Sequence, residues 1–202
     1  MHRTREAIPA HSPVHATLRV RPDVPSLRTV AVVREFRRSL AEACERGDFR
    51  VSHYSLQGDH AHLIVEARSK EALASGMNSI GARLARTVNR VTARTGRVLD
   101  GRYHHRVLRT PREVRRALAY VLLNARRHLR KRGSTASGVR LDPASSARWF
   151  DGWRRQAAGS ASEPSAHPEV ARPRTWLLRV GWRRHGLMDP DEPFDLAAPA
   201  GC

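Results

Sequence analysis

Two histidines and, much further along, a tyrosine and an asparagine are the side chains of this 202-residue chain whose types and spacing could do chemistry. His60 and His62 flank Ala61 in the run Gln57-Gly58-Asp59-His60-Ala61-His62-Leu63-Ile64-Val65. The surrounding composition is that of a strand, and period-2 alternation would point both imidazoles to one side. Two neutral imidazoles on one edge make half of a divalent-metal site. The pair alone carries little weight, because 11 histidines in 202 residues give such a spacing about 0.6 times per chain by chance. Tyr120 and Asn124 supply the context. They stand four residues apart on a strongly basic helical stretch, which would set a phenol nucleophile beside an amide able to act as a further ligand.

The elements that must hold these groups follow from the apolar pattern. Residues 1–13 read as a flexible arm. Residues 14–21 alternate as a half-buried strand does and stop at Pro22. Ser26 fits the N-cap of a helix over 27–46, with Gly47 as its stop. Residues 49–57 and 60–67 read as a hairpin about the Gly58-Asp59 turn. Leu73, Met77, Ile80, Leu84, Val88 and Val91 keep helical spacing over 70–94 and Gly96 ends that helix. Residues 98–108 are extended. Thr110-Pro111 then opens a last helix running to about Arg132. This β-α-β-β-α-β-α order predicts an α+β domain over 14–132: a ferredoxin-like or RRM-like four-stranded antiparallel sheet with covering helices and one extra helix at its C-terminal end. On that extra helix Val114, Leu118, Val121, Leu122, Ala125 and Leu129 make the expected core face, and Tyr120 and Asn124 fall on the charged side with Arg116, Arg127 and Lys131. Residues 133–202 read as a loop-rich, irregular extension. It carries all four tryptophans, Trp149, Trp153, Trp176 and Trp182, and so is expected to dock on the core, or else to touch nucleic acid, rather than stay fully disordered.

Composition points to the partner. The formal net charge is +18, a field that attracts polyanions and makes their binding salt-sensitive. The charge is also local: residues 81–132 hold sixteen basic residues against two acidic ones, an excess of +14. Nucleic acid is therefore the leading partner. Arg83, Arg86, Arg90, Arg94, Arg102, Arg106, Arg116 and Arg127 are the candidate backbone-contacting groups. His104 and His105 are further candidates for phosphate contact. Cys44 and Cys202 cannot form a disulfide framework, and neither a signal peptide nor a membrane span is legible, so a reducing cytoplasm is the expected setting.

The stretch 14–132 resembles the single-tyrosine HUH transposases, nearest to their REP-associated branch. The residues that carry the resemblance are His60-Ala61-His62, the helical Tyr120-Val121-Leu122-Leu123-Asn124, and Arg102-Tyr103-His104-His105-Arg106 before that helix. The resemblance implies a DNA endonuclease and strand transferase acting on single-stranded or hairpin DNA. Tyr120 on the catalytic helix would attack phosphorus, leaving a 5′-phosphotyrosine bond and a free 3′-OH. His60, His62 and Asn124 would hold Mg²⁺ or Mn²⁺. Single-tyrosine relatives work as monomers or homodimers, so the site could be assembled in cis or in trans. Two other readings stand beside this one. One is a nuclease-inactive DNA- or RNA-binding protein on the same fold. The other is a metal hydrolase of small phosphoesters that uses the histidines without a covalent intermediate. Glu66, Asp59 and Gln57 are alternative ligands, each with a simpler role at a strand end or turn.

Overall fold

The computed structural model describes residues 8–131, 141–155 and 168–192, and the side chains of 125–131 lie outside that description. Alternation in Val14–Arg19 (β1) puts Val14, Ala16 and Leu18 into the main core and turns His15, Thr17 and Arg19 to the other face. β1 pairs antiparallel with His60–Ala67 (β4), which pairs antiparallel with Phe49–Leu56 (β3). On its other side β1 takes His104–Val107 (β5). The sheet order is β2-β3-β4-β1-β5, where β2 is the two-residue strand Glu45–Arg46.

The sheet thus has five strands where four are predicted, and the added strand comes from a shorter first helix. That helix, α1, spans Val30–Ala41 and is capped by Thr29, whose hydroxyl accepts from the Val32 amide. The expected 27–46 span fails at both ends. The Leu27 amide donates to the Gly58 carbonyl at 2.9 Å and the Arg28 side chain bonds the Leu56 carbonyl and Asp142, so this stretch is tied to the β3–β4 turn and the helix starts after it. Gly47, at φ 54°, turns the β2–β3 hairpin instead of stopping the helix, a conformation that costs glycine nothing. The fourth predicted strand is also shorter. Leu99 makes only an isolated bridge to Val20, and Gly101 at φ 75° breaks the segment before β5 begins.

The long helix Lys70–Val91 (α2) packs with α1 over one face of the sheet. Pro111–Lys131 (α3) covers the other face. A reciprocal cap starts α3: the Glu113 amide donates to Thr110 Oγ1 at 3.2 Å, and the Thr110 amide donates to Glu113 Oε2 at 3.1 Å, so two donors at the helix end are satisfied together. Ser52 is the extra residue of a bulge in β3, where the register jumps from Val51↔Val65 to His53↔Ile64. The bulge flips the alternation. Tyr54 therefore enters the α1–α2 core, while His53 and Ser55 face the α3 side.

The segment expected to be loop-rich folds into short helical turns at Ser146–Trp149, Trp176–Arg179 (α4) and Gly181–His185, which lie against α3 and β3. Trp182 is 1% exposed and donates its indole N–H to the Leu178 carbonyl. Trp153 and Phe150 pack beside it, and Arg115 of α3 forms a two-toothed ion pair with Glu192. In the same way Glu66 accepts the Arg174 and Thr175 amides at 2.8 Å each. Of the arm expected over 1–13, residues 1–7 lie outside the described residues and Ile8 is part of the core. Among the described residues no helix is long and apolar enough to cross a membrane.

Candidate active site

His60 and His62 open β4 on the α3 side of the sheet, and their Nε2 atoms stand 2.9 Å apart. The outer nitrogen of each ring is also engaged. His60 Nδ1 lies 2.6 Å from Asp59 Oδ1, and His62 Nδ1 lies 3.1 Å from Thr17 Oγ1 and 3.3 Å from His15 Nε2. Burial pushes the Asp59 carboxyl up, but the hydrogen bond and charge of His60 outweigh it and the group sits below its usual range. A carboxylate is thus ready to accept a hydrogen bond from His60 Nδ1. Metal-bound histidines have this arrangement, with the second nitrogen held by an oxygen acceptor.

β1 adds two groups that pattern reading passed over. Thr17 lies opposite His62 in register, and His15 lies two pairs further along on the same face. Cross-strand neighbours share a face, so the outward positions of β1 had to meet the histidines once the two strands were paired. That pairing of sequence-distant strands was the available signal. His15 is 3% exposed. Burial first, then the charges of Arg106 and His60, bring its pKa down from 6.5 to about 4, so it is neutral at physiological pH.

Tyr120 closes the site. Its ring lies edge-on to His62 with centroids 4.9 Å apart, and 5.7 Å from His15. It is 8% exposed and Asn124 is 2% exposed, which corrects their predicted place on a charged outer side. The reason is the C-terminal segment. With the sheet beneath α3 and Leu177, Leu178 and Trp182 packed on it, residues 117–124 are buried all round, as a helix enclosed on more than one side must be. Asn124 lies one turn beyond Tyr120 on the same helix.

The candidate arginines divide. Arg106 and His104 on β5 pair in register with His15 and Thr17, so they share the face of the histidines. Arg106 is held at 2.7 Å by Glu113. His105 has the opposite parity, with its ring 5.7 Å from that of Tyr103 in the main core cluster. Arg102, before β5, and Arg116, on α3, are exposed. Arg83, Arg86, Arg90 and Arg94 belong to α2 or its end and stand behind the sheet, away from the site. Arg83 bonds Ser39 and meets Glu42, Arg90 meets Glu35, and Arg94 meets Asp23. Arg83, Arg86 and Arg90 line a cleft of about 310 Å³ with Glu35 and Glu42. Their helical spacing identified a polar face correctly, but acidic residues on and flanking α1 partner much of it. The Arg127 side chain lies outside the described residues.

Of the alternative ligands, Asp59 bonds His60 and the other two are engaged elsewhere. Glu66 holds the C-terminal segment, and Gln57 donates to Ser55 at 2.7 Å. Among the described residues no three His, Cys, Asp or Glu side chains gather to hold a metal. A cation between His60 and His62 would therefore complete its shell with an amide, water or substrate oxygen. Those oxygens suit a hard divalent ion.

Residues 13–106 match the family described as IS200-like transposases. That match ends before α3, so Tyr120 and Asn124 lie outside it. Among solved structures, the chain is similar to a REP-associated tyrosine transposase bound to a REP hairpin, with a TM-score of 0.50 and 15% identity over 63% of this chain and 74% of that one. No curated protein matches the chain.

Proposed function

We propose, on the premise that this chain is a REP-associated tyrosine transposase-like protein, that it cuts and rejoins single-stranded or hairpin DNA through Tyr120. The observation that carries this reading is the meeting of a phenol on α3 with a histidine pair on β4, the Tyr120 and His62 rings 4.9 Å apart and the two Nε2 atoms 2.9 Å apart.

Tyr120 Oη would attack the scissile phosphorus. The new bond is O–P to the 5′ side, the broken bond is P–O3′, and the leaving oxygen takes a proton to become the free 3′-OH. The phosphotyrosine link preserves the ester bond, so a second 3′-OH can reverse the step and join strands without a nucleotide cofactor. A free phenol has a pKa of about 10, and positive charge nearby favours its ionised form. Arg106 and His104 on the same sheet face would meet DNA phosphates. His60, His62 and Asn124 would hold Mg²⁺ or Mn²⁺, and when bound that ion polarises the phosphate oxygens. The α3 surface beside Arg116 would extend the basic track for the strand.

The test is a covalent adduct. Incubation with labelled single-stranded repeat DNA and Mn²⁺ should yield a protein–DNA product resistant to denaturation. Tyr120→Phe should abolish it while leaving noncovalent DNA binding intact. An adduct that survives the substitution removes Tyr120 as the nucleophile. Salt-sensitive binding with no adduct in the unaltered protein would leave a DNA-binding protein without nuclease activity.

A further inference from the structure

We infer that Trp176 and the arginines around it form a second docking surface for single-stranded DNA, at the end of the sheet remote from the turn that carries His60. This deepens the DNA-processing reading, on which it rests for the choice of polymer and not for the role of Tyr120.

The four tryptophans have unlike surroundings. Trp149 donates its indole N–H to Glu169, Trp153 to the Ala147 carbonyl and Trp182 to the Leu178 carbonyl, so each is tied into the packing of the C-terminal segment. Trp176 is 49% exposed, and its indole N–H has no partner among the described residues. It is nevertheless held in place. Glu66 pins the backbone before it by taking the Arg174 and Thr175 amides. Its six-membered ring lies so close on Gly181 that a Cβ there would come within 2.6 Å of Cζ3. The Arg184 guanidinium stands 4.9 Å from the ring centroid. An indole that is half open to solvent and fixed on such a support needs little further ordering when a flat partner arrives.

The charge around the ring selects the partner. Residues 172–185 hold five arginines and no acidic residue. Arg172, Arg179 and Arg184 are exposed and meet no carboxylate among the described residues, unlike Arg90, which meets Glu35. Trp176 also forms one wall of an open cleft of about 440 Å³ with His11, Arg50, Arg68 and Arg174. The carboxylates of that cleft are already engaged: Asp48 meets Arg68 at 3.5 Å, and Glu66 meets Arg50 and the two amides. The surface thus offers a flat apolar face ringed by guanidinium groups, which matches the alternation of base and phosphate along an unpaired strand. A duplex keeps its base faces stacked inside and cannot offer one to the indole. The chain's own arm is a poor occupant, since residues 1–7 carry Arg3 and Arg5 against Glu6 and like charges repel. Glu66 lies beyond His62 on the same face of β4, about 13 Å away at the strand rise per residue, so a strand several nucleotides long spans the interval.

The experiment follows the tryptophan fluorescence of the full chain and the anisotropy of a labelled oligothymidylate. Binding should quench the exposed indole, and Trp176→Phe should remove most of that quenching. Trp176→Ala should weaken binding about 5- to 100-fold, the range for loss of one stacked base, whereas Trp176→Phe, which keeps an aromatic face, should bind within about 3-fold of the original. Arg184→Gln alters only an exposed group and so probes the surface without threatening the fold. It should weaken binding and lower the slope of log affinity against log salt by about 0.7. A blunt duplex should quench far less than the single strand. Unchanged affinity in both Trp176→Ala and Arg184→Gln overturns the proposal, as does equal quenching by the duplex. Stronger quenching by phosphatidylglycerol vesicles than by DNA also overturns it, and makes the surface a membrane contact. Quenching that depends on Trp176, in a protein that forms no adduct with repeat DNA, upholds the surface and removes the reading of Tyr120. An adduct through Tyr120, with both variants binding as the original does, removes the surface alone.

Discussion

Tyr120 stands at 73° to the plane of His62 within one polypeptide, so the phenol already faces the histidines of its own chain. A mixture of Tyr120→Phe and His62→Ala proteins should then give no covalent DNA adduct, since neither copy holds a complete set. Adduct formation in the mixture, read on a denaturing gel, would mean that α3 serves a neighbouring copy.

Acid should weaken the fold through its buried histidines. His53 is fully buried beside Ser146 and Phe150, and burial brings its pKa from 6.5 to about 4. The unfolded chain binds the extra proton first as pH drops, so the stabilisation is complete above about 6.5 and is lost between about 6.5 and 4. A gap of about 2.5 pH units corresponds to roughly 3 kcal/mol. Urea unfolding at pH 7, 5.5 and 4.5 should show this slope, and His53→Gln should flatten it.

DNA contact should follow sheet face rather than charge count. Replacing Arg106 by Ala is expected to weaken DNA binding and lower the slope of log affinity against log salt by about 1. Arg90→Ala, behind the sheet and paired with Glu35, should leave that slope unchanged. Equal effects of the two would put the DNA across α2 instead.

Glu113→Ala should loosen the start of the helix that carries Tyr120. It removes the acceptor for the Arg109 and Thr110 amides and the partner of Arg106. A lost cap of this kind costs about 1–2 kcal/mol. Thermal unfolding should register the loss, and adduct yield should fall with it.

The sequence pattern was most legible where a single period runs through an element. β1, β4 and α2 follow their alternation or helical spacing, and the Thr110–Glu113 cap stands where composition places it. Tyr120 was misplaced because a helical wheel assumes one buried face, and it does not include Leu178 and Trp182, which come later in the chain to cover the other side. His15 and Thr17 passed as ordinary strand residues because their chemistry arises only when β1 lies beside β4. The Ser52 bulge, which turns His53 from one face to the other, shows only as a change of parity between Phe49 and Val51 on one side and Tyr54 and Leu56 on the other.

The lid that Trp182 and the Arg115–Glu192 pair place over α3 comes from a part of the chain far beyond Tyr120 in sequence. A copy cut short before α4 would still carry every residue of the histidine and tyrosine set, yet its nucleophile helix would have one apolar flank bare to water. Such a copy would be poorly folded, with Tyr120 no longer held against the histidines. The fold thus makes the seating of Tyr120 depend on packing supplied by residues well beyond it in the chain.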